Sequence, residues 1–144
     1  IGGVNFMGEL KSPFQSYYFS RFGSSWGWAS WRRAWRHFDY ELKLWPMVCE
    51  AKLLEQMFPD PVHCQYWQEK FQHVFVNNAD DIWDYQWLLA CWINSGFRVF
   101  PESNLVSNIG FRDDATHTFG DGVFANMPTT GIELPLKHPP FVFH

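Results

Sequence analysis

Three groups of residues carry side chains suited to chemistry. The first is Trp83-Asp84-Tyr85-Gln86-Trp87, one carboxylate set between two indoles at the head of an expected helix. A carboxylate held on a rigid element beside apolar rings is suited to take a proton from a hydroxyl. The same Asp84 is equally suited to close a helix end. With Asp81 as N-cap it stands at the third helical position, where a carboxylate accepts backbone N–H bonds and meets the positive end of the helix dipole. The second group is Trp26-Gly27-Trp28. A glycine there lets a flat ligand approach the backbone while rings flank it, and the competing reading is a tight turn packed under aromatics. The third group is Arg112, Asp113, Asp114 and His117. An imidazole close to acids is the usual composition of a metal site, although a lone loop histidine is commonly only hydrogen-bonded or solvated. Arg112 and Asp114 are candidate contacts to a charged substrate, against ordinary surface residues. Tyr85, Gln86 and Asn108 are candidate polar contacts. Asn104 and Ser107 fit residues that satisfy loop backbone.

These residues need elements to hold them. Ile1 to Met7 reads as a short strand, Gly8 to Gln15 as a polar loop, and Tyr17-Tyr18-Phe19 as a second strand rich in β-formers, broken at Gly23-Ser24-Ser25. Trp28, Trp31 and Trp35 recur at i, i+3 and i+7. That spacing predicts a helix over Ala29 to Phe38, with Trp31 and Trp35 in the core and Arg32, Arg33 and Arg36 opposite. Further helices are expected over Met47 to Met57, closed by Pro59 and Pro61, and over Val62 to Val76, with Tyr66, Trp67, Val74 and Phe75 inward. The clearest runs from Asp81 to Ser95, with Gly96 just past its end. Arg98-Val99-Phe100 and Asn104 to Ile109 read as strands. Gly110 to Thr130 reads as a long loop, a type of segment that often carries function. The Pro-rich tail from Ile132 to Pro140 is expected to pair only as an edge. No repeat and no regular βαβ alternation is present.

Composition narrows the classes. Of the 144 residues, 20% are aromatic and nine are Trp, more than one modest core requires. A thick aromatic core and a groove that stacks flat ligands such as sugars are the two sources of such a surplus. A net charge of −4 leaves no basic excess to neutralise phosphates, which argues against a nucleic-acid partner. Cys49, Cys64 and Cys91 are an odd count without a CxxC pair, so neither a disulfide framework nor a zinc site is expected. A reducing compartment fits. No apolar run is long enough to span a membrane and no stretch reads as a signal peptide, so a cytoplasmic location is expected.

Two long stretches carry a resemblance. One is Ser16-Tyr17-Tyr18-Phe19-Ser20-Arg21-Phe22, continuing through Trp26-Gly27-Trp28-Ala29-Ser30-Trp31-Arg32-Arg33-Ala34-Trp35. The other is Trp83-Asp84-Tyr85-Gln86-Trp87, continuing to Asn104-Leu105-Val106-Ser107-Asn108-Ile109-Gly110-Phe111 and Ala115-Thr116-His117-Thr118. Together they resemble a bacterial family of nucleotide-diphospho-sugar transferases of the GT-A fold, some members of which are labelled haemolytic protein-like. The likeness runs over essentially the whole chain. A more distant similarity is to the inverting N-acetylglucosaminyltransferase I type.

The resemblance implies an α/β fold, or α+β as an isolated piece. It would be the C-terminal, acceptor-side half of a GT-A domain, with three to four helices and short mixed strands, all of 1–144 forming one partial domain. It implies transfer of a sugar from a nucleotide-diphosphate donor to an acceptor hydroxyl in glycan or polysaccharide assembly. It places Asp84 as catalytic base and Trp26, Gly27, Trp28, Trp83, Tyr85, Gln86, Arg112 and Asp114 around the substrate. His117 would be a ligand to a divalent metal, Mn or Mg, in the full-length enzyme. The sequence departs from the family in having no D-x-D cluster, since Asp80-Asp81 and Asp113-Asp114 are adjacent pairs. The nucleotide-binding half is therefore expected to be absent, the isolated chain inactive, and its uncovered edge closed by self-association into a homo-oligomer. The alternative from another class is a non-catalytic carbohydrate-binding or interaction module with an aromatic groove.

Overall fold

Tyr17-Tyr18-Phe19-Ser20 and Arg98-Val99-Phe100-Pro101 are short runs of aromatic and branched residues, and they pair. In the computed structural model, which describes residues 1–8, 14–77, 82–111 and 122–142, they form β1 (Tyr17–Ser20) and β2 (Arg98–Pro101). The two strands are antiparallel, with Tyr18 opposite Phe100 and Phe19 opposite Val99. The Tyr18 and Phe100 rings stack at 6.0 Å, the kind of cross-strand pair that holds a two-stranded ribbon together. By contact the chain falls into two compact units. The first is made of Ile1–Trp31 with Gly96–His144, and the second of Arg32–Ser95.

The first unit is built by side chains as much as by a ladder. Ile1 to Met7 is not a strand. Gly2 N donates to Val99 O at 2.8 Å and Leu105 N to Gly3 O at 3.0 Å, but regular pairing stops at Asn5. That buried carboxamide takes the bonds a ladder would have used. Its Nδ2 donates to the carbonyls of Glu102 and Gly8, and its Oδ1 accepts from Met7 N at 2.9 Å. Asn104 does the same for the segment expected to be a strand up to Ile109. Its Nδ2 donates to Val106 O at 3.0 Å and Pro128 O at 2.8 Å, and the segment is irregular. The tail meets the start of β1, with Ser16 N donating to Lys137 O at 2.8 Å.

The second unit is helical. The helices are α1 (Arg32–Trp35), α2 (Trp45–Glu50), α3 (Leu53–Met57), α4 (Pro61–Asn77) and α5 (Asp84–Ile93). Its core gathers Leu42, Trp45, Val48, Leu54, Cys64, Phe71, Val74, Leu88, Leu89 and Trp92. Phe71 lies at the centre, 0% exposed, with the rings of Trp45, Trp67, Tyr85 and Trp92 between 5.4 and 6.4 Å away.

Four expectations are corrected. The helix over Ala29 to Phe38 shrinks to one turn, Arg32–Trp35, and the chain beyond it goes on in i→i−3 turns, His37 N donating to Ala34 O and Phe38 N to Trp35 O, each at 3.0 Å. Trp31 and Trp35 are 46% and 37% exposed and are not core residues. The helix over Met47 to Met57 is two helices. Pro46 sits in the first turn of α2, where its missing N–H costs nothing, and Lys52 takes a left-handed φ of 52° that ends the run. On α4 the inward stripe is Cys64, Trp67, Phe71 and Val74, while Tyr66 and Phe75 are exposed. The helices all lie in one unit and the strand pair in the other, so α and β are mixed in the chain but segregated in space.

Candidate functional site

Asp84 is the first residue of α5, with Trp83 as its N-cap in a non-helical conformation. It stands two positions nearer the helix start than expected, and Asp81 lies outside the described residues. The half-buried carboxylate accepts through Oδ1 from Tyr85 N at 3.1 Å, a bond inside its own first turn. Among the described residues that is the one bond this carboxylate makes, which leaves Oδ2 for another partner. The indoles on either side turn to the same ring. Trp83 and Trp87 lie 6.2 and 4.9 Å from Trp35, which stacks on Phe38 at 4.4 Å. Trp83 and Trp87 thus join Trp35 and Phe38 in one aromatic cluster.

Its neighbours face inward. The Tyr85 ring packs edge-on against Phe71 and Trp67, each at 6.4 Å. Burial, then Tyr66 and the Asp84 carboxylate, push the Tyr85 phenol above its ordinary range, so it stays protonated at neutral pH. Gln86 is 1% exposed, and its Nε2 donates to Ile82 O at 2.8 Å. Its Oε1 has no partner among the described residues. At α5's other end Asn94 is the C-cap and Ser95, not Gly96, takes the left-handed turn, with φ 53°.

The other expected site residues belong to the first unit or lie outside the description. Trp26 is half-buried, edge-on to Phe6 at 5.2 Å and to Phe111 at 5.7 Å. Gly27 has a φ of 60°, and a Cβ there would overlap Val106 Cγ2. What this glycine admits is therefore the Val106 side chain. Trp28 is exposed. Asn108 Oδ1 accepts from Gly110 N at 2.8 Å, a local turn bond. Arg112, Asp114 and His117 are outside the described residues. Among the described residues no three potential metal ligands gather, and no helix is long and apolar enough to cross a membrane.

The sequence reading missed an open groove of about 730 Å³ in the first unit. It is walled by Val4, Phe6, Tyr18, Phe22 and Phe100, with Arg21 among its lining. Its walls come from three separate stretches of chain, which no local pattern links. The run of aromatics from Tyr17 to Phe22 was the available signal. No family model, no curated protein and no solved structure matches this chain.

Proposed function

We propose that this chain is the acceptor-side, C-terminal half of a GT-A glycosyltransferase, moving a sugar from a nucleotide-diphosphate donor to a glycan hydroxyl. The observation that carries the reading is Asp84. Its carboxylate is fixed by one oxygen at the head of a rigid helix whose Trp87 joins an aromatic cluster, with the second oxygen left over. In the proposed step Asp84 takes the acceptor hydroxyl proton. The hydroxyl oxygen bonds to the anomeric carbon, and the bond to the donor diphosphate breaks with its electron pair leaving on the diphosphate. Trp83, next to the carboxylate in sequence and only half-buried, is the indole that could meet the apolar face of a sugar ring. The resemblance of the Trp83–Trp87 stretch to the nucleotide-diphospho-sugar transferases supports the same class.

One observation favours the alternative, a non-catalytic carbohydrate-binding module. The Oδ1 bond to Tyr85 N is by itself a sufficient structural role for Asp84. A transfer assay separates the two. In a protein joining this chain to a nucleotide-binding unit, Asp84→Asn keeps the acceptor for Tyr85 N but loses the base. The transferase reading expects kcat to fall about 10²–10⁴-fold with acceptor KM nearly unchanged. Unchanged turnover, or saccharide binding without transfer by the unsubstituted protein, selects the binding module.

A further inference from the structure

We infer that the groove of the first unit binds one small, neutral, aromatic molecule. Its volume of about 730 Å³ lies within the range of about 300–1,000 Å³ typical of small-molecule sites. The eleven residues that line it suit such a ligand better than a protein partner, since a stable protein interface uses about 20–30 a side. Floor and rim differ. Val4 and Phe100 are 1% and 5% exposed and form a packed floor, whereas Phe6, Phe22 and Met7 stand 40%, 46% and 70% exposed. The floor is held from several sides. Gly2 N donates to Val99 O at 2.8 Å, next to Phe100 in the chain. The buried Asn5, next to Val4, donates by side chain to Gly8 O and by backbone to Asn104 Oδ1, each at 3.1 Å. The Phe6 ring is braced by Trp26 and Phe124 at 5.2 and 4.7 Å. Walls already in place leave little ordering cost for binding.

Ligand chemistry follows from the groups present. Phe6, Tyr18, Phe22 and Phe100 each bring a ring to the lining. A ring edge is answered by another ring's face, and a ring face by an edge or an offset stack, so an aromatic ligand gains contacts beyond the area it covers. A saturated molecule of equal size gains the area alone. Burial lifts the Tyr18 phenol above its ordinary range, so it is uncharged at neutral pH. The same withdrawal from water disfavours charge on a ligand lying against that phenol. Tyr18 Oη reaches Asn5 Oδ1 only at 3.5 Å, the outer limit of a hydrogen bond, so the phenol can turn to donate to a ligand oxygen instead. Arg21 also lines the groove and is engaged within the chain, so no ligand charge is assigned to it. The site stands on first-unit residues alone and does not depend on the role given to Asp84.

Fluorescence titration of the whole chain with Nile red, a flat neutral dye, tests the assignment. One dye per chain is expected to bind saturably in the micromolar range. Naphthol is expected to displace it at about fivefold lower concentration than decahydronaphthol, the same skeleton without aromatic rings, and methyl glucoside is expected not to displace it. Phe22→Ser and Met7→Ser, both at exposed rim positions, are expected to weaken dye binding about tenfold and about threefold. Met47→Ser, at an exposed methionine of α2 in the second unit, is expected to leave it unchanged. Non-saturable binding, equal displacement by the two naphthol skeletons, displacement by methyl glucoside, or equal weakening by Met47→Ser would overturn the assignment. So would dimers in light scattering that the dye disperses, since the groove would then belong to a second copy of the chain. If Phe22→Ser does not fold, Met7→Ser and the displacement series still decide.

Discussion

Gly27 separates a structural residue from a ligand-facing one. Its φ of 60° lies where a side chain is strained, and a Cβ would run into Val106. Gly27→Ala is expected to cost about 2–4 kcal/mol, combining left-handed strain with overpacking. In a double-mutant cycle with Val106→Ala, the pair is expected to be at least about 1 kcal/mol less destabilised than the sum of the single changes. Denaturant titration of the four proteins measures this. Strict additivity, or an unchanged midpoint for Gly27→Ala, would return the glycine to the role of a ligand approach. At the same scale Asp84 was legible as an aromatic-flanked carboxylate at a helix head. Its helix position was not, because the N-cap turned out to be Trp83, a residue with no capping side chain.

Among the elements, α4 has the most to lose from one substitution. Phe71 is fully buried and meets rings from α2, α4 and α5, so truncation leaves a void that rigid neighbouring rings fill poorly. Phe71→Ala is expected to cost about 3–5 kcal/mol in equilibrium unfolding, and a loss below about 1 kcal/mol would mean that the ring cluster repacks freely. The strands and α5 were legible, since aromatic and branched runs and a continuous apolar segment are local signals. What failed were elements decided by distant partners. The Trp28, Trp31, Trp35 spacing imitates a helix face, yet only Arg32–Trp35 is helical, and Ala29 is bonded instead to Ile1, a partner that nothing within ten residues announces. The break between α2 and α3 falls on Lys52, a residue type that gives no warning of a positive φ. The groove was hidden for the same reason. Phe100 reaches it only through the antiparallel register that sets it opposite Tyr18.

The two units differ in how their chain is supplied, and that difference predicts how they fold. The first needs Ile1–Trp31 and Gly96–His144 together, and its bonds join residues far apart, such as Asn5 N to Asn104 Oδ1 at 3.1 Å. The second is one continuous stretch, Arg32–Ser95, and every residue of the central helical core lies inside it. Helices joined by short turns pay little loop-closure entropy. A domain of this size is marginal by surface-to-volume scaling, but its core is unusually rich in large rings, which bury more apolar area per residue than aliphatic side chains. The fragment 32–95 is therefore expected to fold alone, with helical circular dichroism, blue-shifted tryptophan emission and a single cooperative thermal transition. Phe71→Ala should abolish that transition in the fragment, because about 3–5 kcal/mol is most of what so small a domain has. The complementary piece 1–31 is expected to stay unstructured without 96–144. A fragment 32–95 with coil-like dichroism and solvent-exposed tryptophan emission would show that the helical core depends on the strand-bearing segments, and the chain would then have to fold as one cooperative whole.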